Sequence, residues 1–295
     1  MKKFGPVMTA MVTPFDEHNQ INMNSLKKLI IYLLKHGTTA LVVTGTTGEA
    51  PTLSALERLR VWETAVDYAG GSIPVIAGVG TNCTKTTIHN IKLAEEIGID
   101  GLLVVTPYYN KPNQKGLLYH FQEIARSTDL PIILYNVPSR TGVTFEIETL
   151  AELMKEKNIV GIKDASGDMK LLTQLKEIAR PDFALYTGDD MAYLDTLKLG
   201  GAGAISVASH LVGNQMVQIS ELYEQGHIEE AGELHEKLIP VYQAMFHTTN
   251  PIPVKAMLNE IGLNVGDVRL PLIALDQFES MEIFDEIKAL IDSEM

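Results

Sequence analysis

The stretch Ile159-Val160-Gly161-Ile162-Lys163-Asp164-Ala165 sets a charged side chain inside a run otherwise suited to burial. Val, Ile and Gly in near-continuous sequence are what a strand covered on both faces requires, and parallel sheets are built from such strands. An ammonium there gives up its hydration, which is costly unless the charge is paired or removed. Desolvation favours the neutral amine. A neutral amine is a nucleophile and forms a Schiff base with a carbonyl compound. The plainer alternative is an edge-strand lysine whose stem lies on apolar surface while its head reaches water. The neighbouring strands decide between the two.

Outward from this stretch, strand-like runs alternate with helix-like runs up to about residue 225. The strand candidates are 7–13, 40–45, 74–80, 101–107, 131–137, 159–165, 183–188 and 202–209. Helical segments lie between them, for example 25–36, 53–69, 84–97, 114–128 and 169–179. Asn24-Ser25 and the stretch from Thr52 to Ser54 offer N-caps, and Asp189-Asp190 offers another. Strict alternation implies a parallel sheet with right-handed crossovers. Three helix-to-strand junctions share a pattern: His36-Gly37-Thr38-Thr39-Ala40, Ile97-Gly98-Ile99-Asp100-Gly101 and Leu199-Gly200-Gly201-Ala202-Gly203. Each has Gly where a helix C-terminus wants a left-handed residue, then a small residue three positions on, suited to close helix–strand packing.

Eight such units fit a (β/α)8 TIM barrel, and the doubly wound alternative lacks its fingerprint. Gly78-Val79-Gly80 follows the third strand, not the first, and has no third glycine. Residues 1–225 are therefore read as a barrel catalytic domain. Residues 226–295 are read as a C-terminal helical extension packed on it, with helices at 228–238, 240–246, 254–261 and 277–293.

The chain has 295 residues, 24 basic and 37 acidic, for a formal charge of −13. That surface disfavours nucleic acid and anionic membranes, and any anion site must carry its own cations. One cysteine, Cys83, forms no internal disulfide, and a reducing cytoplasm is the simplest compartment. Met1-Lys2-Lys3 has the charge of a secretory leader, but Pro6, Thr9, Thr13 and Pro14 interrupt the apolar run after it, so a strand is expected there. No apolar stretch approaches a membrane span. The eight histidines are scattered, with no pair three to five apart, and no phosphate-binding loop of the Gly-x-x-x-x-Gly-Lys type or serine-hydrolase elbow occurs. Neither metal nor cofactor is expected.

In a barrel of this kind, chemistry collects at the C-terminal ends of the strands. Those ends carry Gly45-Thr46-Thr47-Gly48-Glu49, Pro107-Tyr108-Tyr109-Asn110, Tyr135 with Pro138-Ser139-Arg140-Thr141-Gly142, Lys163, and Gly188-Asp189-Asp190. Tyr135 and Lys163 fall at similar heights on consecutive strands, about 4.8 Å apart. A phenol beside an amine can pass a proton to a departing hydroxyl and take one back. Thr46 can hydrogen-bond that phenol. Gly45 and Gly48 let backbone amides approach a carboxylate, and Arg140 can clamp another. Singly, each has a duller reading: a core tyrosine, turn threonines, a surface arginine, an exposed or subunit-contact tyrosine pair. Their shared position at one face is what argues for a site.

These motifs resemble the class I pyruvate-dependent aldolase/lyase barrels and, within them, the dihydrodipicolinate synthase family. The similar segments add Pro74-Val-Ile-Ala-Gly78, Val105-Thr-Pro-Tyr-Tyr-Asn110, Leu134-Tyr-Asn-Val-Pro-Ser-Arg-Thr-Gly142 and Asn250-Pro-Ile-Pro-Val-Lys255. The resemblance implies that Lys163 forms a Schiff base with pyruvate and that Tyr135 shuttles protons, relayed through Thr46 to Tyr109 of a neighbouring subunit. It implies that Thr46 and Thr47 flank the pyruvate carboxylate, that Arg140 receives the carboxylate of aspartate semialdehyde, and that Gly188 and Ile205 line the pocket. It further implies a cytoplasmic homotetramer, a dimer of tight dimers, serving lysine and diaminopimelate synthesis. Arg140 separates this reading from the sialic acid lyases, which lack the arginine, and from sugar-derived aldehydes generally, whose hydroxylated chains want neutral hydrogen-bonding groups there.

Overall fold

The computed structural model describes residues 4–291. Its strands are β1 (Val7–Ala10), β2 (Ala40–Val43), β3 (Val75–Gly78), β4 (Gly101–Val105), β5 (Ile132–Asn136), β6 (Ile159–Asp164), β7 (Ala184–Thr187) and β8 (Gly203–Ser206). They close into a parallel barrel in chain order, with β8 paired back to β1. A closed barrel has no edge, so the snorkelling alternative for Lys163 is removed. The helices are α1 (Met23–Lys35), α2 (Ala55–Ala69), α3 (Thr84–Ile97), α4 (Gln114–Arg126), α5 (Pro138–Thr141) and α6 (Ile147–Leu153). They continue as α7 (Met169–Ile178), α8 (Tyr193–Lys198), α9 (Ser209–Glu224), α10 (Ile228–Ala244), α11 (Ile252–Glu260) and α12 (Gln277–Ile291). Met1–Lys3 lie outside the described residues, as do Asp292 and Ser293, the last two positions of the helix expected at 277–293.

Strand alternation splits the core in two. Outward residues such as Leu41, Leu102, Leu134 and Ile162 pack with the helices, whereas Met8, Val42, Ile76, Leu103, Ile133, Tyr186 and Ile205 fill the barrel. The junction glycines Gly37, Gly98 and Gly200 all have positive φ, 79°, 87° and 76°. Two of the three small residues after them, Gly101 and Gly203, have a different purpose from the one expected. A Cβ on Gly101 would meet the ring of Phe4 at 3.0 Å, and one on Gly203 would meet the Pro6 carbonyl at 1.9 Å. The space is reserved for the N-terminal segment that plugs the barrel floor, not for a helix.

Two caps and one helix differ from expectation. Asn22, not Asn24 or Ser25, caps α1, its side chain accepting from Ser25 N at 3.1 Å, while Ser25 Oγ donates to the Asn264 carbonyl. Ser54 caps α2 in a capping box with Glu57. Pro240 does not divide 228–246 into two helices. Its ring lies on the exposed side of α10, where the carbonyl it frees can be hydrated, and buried Leu238, Val241 and Tyr242 hold the helix together.

Two histidines tie the barrel's stability to pH. His210, on α9, is fully buried. Its Nδ1 donates to the Val207 carbonyl at 2.8 Å, and its Nε2 accepts from Val12 N at 3.3 Å. His120, on α4, is 6 % exposed and bonds Thr84 Oγ1. Desolvation pulls both down to about 4. Each is neutral in the folded state while the unfolded chain takes up a proton below its ordinary value. Their contribution is therefore complete above about pH 6.5 and is lost progressively as pH falls toward 4. Chemical unfolding at pH 7 and pH 5 should differ by on the order of 2 kcal/mol for each histidine. Equal stability at the two pH values would contradict their being buried neutral.

Candidate active site

Lys163 and Tyr135 are direct register partners across β5 and β6. Both are 6 % exposed, and the Lys163 Nζ lies 4.6 Å from the centroid of the Tyr135 ring. Strand alternation turns the next residue, Asp164, the other way. Its carboxylate accepts from Asn136 Nδ2 at 2.7 Å and from Ser166 Oγ at 2.6 Å, so it does not pair with Lys163. The second buried lysine makes the contrast. Lys255 Nζ donates to Glu49 Oε1 at 2.7 Å and to the Asp267 carbonyl at 2.8 Å. Among the described residues no carboxylate meets Lys163. Lys163 is thus buried against a phenol ring with no counter-charge among those residues, whereas Lys255 is held in an ion pair.

Gly188 keeps room for that amine. A Cβ there would lie 2.7 Å from Lys163 Cε, and Gly188 N is fixed by the Asp164 carbonyl at 2.6 Å. Ile205 is fully buried in the same interior cluster as Tyr135. Asp189 caps the short turn that comes next, accepting from Met191 N at 3.0 Å. Asp190 does not cap. It is 1 % exposed and accepts from Val207 N and Ala208 N at 3.1 and 2.8 Å, fixing the chain directly after β8, and burial pushes its carboxyl upward.

Tyr135, the register partner of Lys163, lines a cavity of about 500 Å³. Of the strand-end residues singled out in the sequence, Gly45, Thr46, Glu49, Tyr108, Tyr135, Arg140 and Thr141 line it. Lys163, Thr47, Gly188 and Ile205 are not among its lining residues. Thr47 is 2 % exposed. Tyr109 is apart from it within one chain: it is 89 % exposed, at φ 72°, while Tyr108 faces the cavity. A positive φ at a tyrosine is unfavourable, and such residues gather where geometry is imposed for function.

The turn after β2 is held on two sides. Trp62 Nε1 donates to Thr44 Oγ1 at 2.7 Å, and Thr44 sits at φ 53°. On the other side, Glu49 receives Lys255 through Oε1 and Arg269 N through Oε2, the latter at 2.8 Å. Glu49 and Lys255 are 3 % and 1 % exposed. Desolvation holds Lys255 below the ordinary lysine range, and Glu49 works against it. Arg269 in turn brings Glu57 down to about 2. These contacts bind the C-terminal segment to the turn that carries Thr46 and Thr47. The same segment supplies Asn250, Pro251, Pro271 and Leu272 to the cavity wall. Asn250 Nδ2 donates to Thr47 Oγ1 at 2.9 Å, and its carbonyl accepts from Arg140 Nη2 at 3.2 Å. Asn250, Glu49 and Lys255 entered the sequence reading only inside quoted motifs, with no role assigned, because their partners are about 200 positions apart.

A parallel eight-stranded barrel with an unpaired amine buried beside a phenol at its C-terminal mouth defines a barrel of the lysine-dependent aldolase type. Residues 3–290 match the dihydrodipicolinate synthetase family. The chain is 47% identical over 279 residues to 4-hydroxy-tetrahydrodipicolinate synthase 1 of Halalkalibacterium halodurans, covering 95% of each. It is 46% identical to the 4-hydroxy-tetrahydrodipicolinate synthase of Bacillus subtilis, covering 97% of this chain and 99% of that one. A crystal structure of a Bacillus anthracis dihydrodipicolinate synthase superposes with a TM-score of 0.95 at 43% identity, over 98% of this chain and 99% of that one. The chain belongs to the dihydrodipicolinate synthetase family.

Proposed function

We propose that the chain is a lyase that condenses pyruvate with L-aspartate 4-semialdehyde to give 4-hydroxy-tetrahydrodipicolinate, in lysine and diaminopimelate synthesis. The observation that carries the reading is the buried, carboxylate-free Lys163 in register with Tyr135. The amine of Lys163 adds to the pyruvate ketone, and loss of water gives the Schiff base. Tyr135 supplies the proton to the departing hydroxyl and recovers one later, through Thr46 and Tyr109. Loss of a methyl proton makes the enamine, which forms the new carbon–carbon bond at the aldehyde. The amino group of the second substrate then attacks the imine carbon, closes the ring and displaces Lys163. Thr46 and Thr47 flank the pyruvate carboxylate, Gly188 and Ile205 shape the floor, and Arg140 takes the carboxylate of the semialdehyde. No cofactor is needed, because the lysine is the electron sink. The division at residue 225 belongs to the same reading: residues 1–225 carry the chemistry, and the extension walls the pocket. Purified protein given pyruvate and a panel of aldehydes should turn over aspartate semialdehyde. Preference for a sugar-derived aldehyde would overturn the substrate assignment.

Individual residues carry two expected results. Arg140→Ala should raise the KM for aspartate semialdehyde by about 1.5–3 kcal/mol, roughly ten- to hundredfold, while the pyruvate adduct still forms. Equal damage to both substrates would place Arg140 outside the second substrate's site. Tyr109 projects from one chain, so its role requires a second copy, and in this reading the protein is a cytoplasmic homotetramer of tight dimers. Sedimentation at assay concentrations should find dimers or tetramers. A fully active monomer would remove Tyr109 from the relay.

A further inference from the structure

The carboxamide of Asn250 is only half used. Asn250 lies between α10 and α11, is 6 % exposed, and lines the cavity. Nδ2 donates to Thr47 Oγ1 at 2.9 Å, which leaves the threonine hydroxyl its proton for a carboxylate. Oδ1 is buried and accepts nothing. A buried acceptor without a donor is unfavourable, so its presence in a cavity wall calls for a ligand that brings the donor. Arg58 Nε is the other unpartnered buried polar atom of that wall, but it is a donor.

We propose that Asn250 Oδ1 accepts the α-amino group of the aldehyde substrate and thereby selects an aminated semialdehyde over an unaminated one. The inference rests on the proposed placing of that substrate's carboxylate at Arg140. Amino group and carboxylate share one carbon in aspartate semialdehyde, so the acceptor must stand beside the arginine. Asn250 does, since its backbone carbonyl accepts from Arg140 Nη2 at 3.2 Å. The amide oxygen receives an N–H from the ammonium and equally from the amine, so the contact survives the proton loss that ring closure needs. Its other bond, to Thr47, ties the same residue to the pyruvate side of the cavity. One side chain then reads the second substrate and sets it against the first.

Succinate semialdehyde isolates the contact, because it has the same carboxylate and aldehyde without the amino group. The readout is the ratio of its inhibition constant to the KM of aspartate semialdehyde. Asn250→Ala should lower this preference about ten- to hundredfold, through the KM of the aminated substrate. Asn250→Asp keeps an acceptor oxygen and should keep the preference at or above the wild-type value. Its negative charge opposes both carboxylates alike and cancels in the ratio, as does any change in pyruvate binding. An unchanged preference in Asn250→Ala overturns the proposal, and so does a preference lost in Asn250→Asp. Should the alanine variant not fold, the aspartate variant decides alone. Borohydride trapping of pyruvate on Lys163 of the wild-type protein tests the underlying reading separately. A missing adduct refutes the lysine chemistry, whereas an intact adduct with no amine preference refutes the role of Asn250.

Discussion

Lys163→Met is expected to abolish condensation, with a loss on the order of 10⁴-fold or more, because the proposed mechanism makes this residue the nucleophile. Methionine has similar length and suits a site that is 6 % exposed, so the barrel should stay folded. Incubation with pyruvate and borohydride should add one reduced pyruvyl group to the wild-type chain, mapped to the Lys163 peptide, and none to the variant. Lys255 is an internal control. It is also buried, but Glu49 and the Asp267 carbonyl hold its ammonium, so it should remain unlabelled. A label that persists in Lys163→Met, on any lysine, would sink the Schiff-base assignment.

Tyr135→Phe should lower kcat by roughly 10²–10⁴. The ring stays, and with it the packing against Lys163 and the interior cluster; only the hydroxyl goes. In the proposed mechanism the hydroxyl is the proton carrier, and its loss slows both formation and breakdown of the carbinolamine. Trapping by borohydride should therefore still mark Lys163, but at a rate reduced in parallel with turnover. Thermal unfolding should shift little. A variant that turns over at near wild-type rate would make Tyr135 a packing residue and move the proton transfer to another group.

Much of the barrel was legible because it rests on local signals. Short apolar runs marked all eight strands, and glycines with positive φ sit at the three junctions where helices end. The pairing of Tyr135 with Lys163 could be read from their heights on consecutive strands, since parallel register carries heights from strand to strand. Capping was less legible. Asn22 outcompetes Asn24 because the helix starts two residues early, and Ser25 is drawn to the Asn264 carbonyl, 239 positions away. Asp190 looked like a cap beside Asp189, yet its acceptors serve the amides after β8.

By itself, then, the sequence determined that this chain closes a parallel barrel and sets an amine and a phenol at the same height in its mouth. Both come from apolar patterning and strand order, which are properties of neighbouring residues. Only the tertiary structure showed that a second lysine, Lys255, is also buried and that Glu49 holds it, while no carboxylate among the described residues meets Lys163. It alone brought Asn250 between Thr47 and Arg140, and reserved Gly101 and Gly203 for Phe4 and Pro6. These are contacts across tens to hundreds of residues. They arise where the C-terminal segment folds over the mouth and the N-terminal segment plugs the floor, and no periodicity records them.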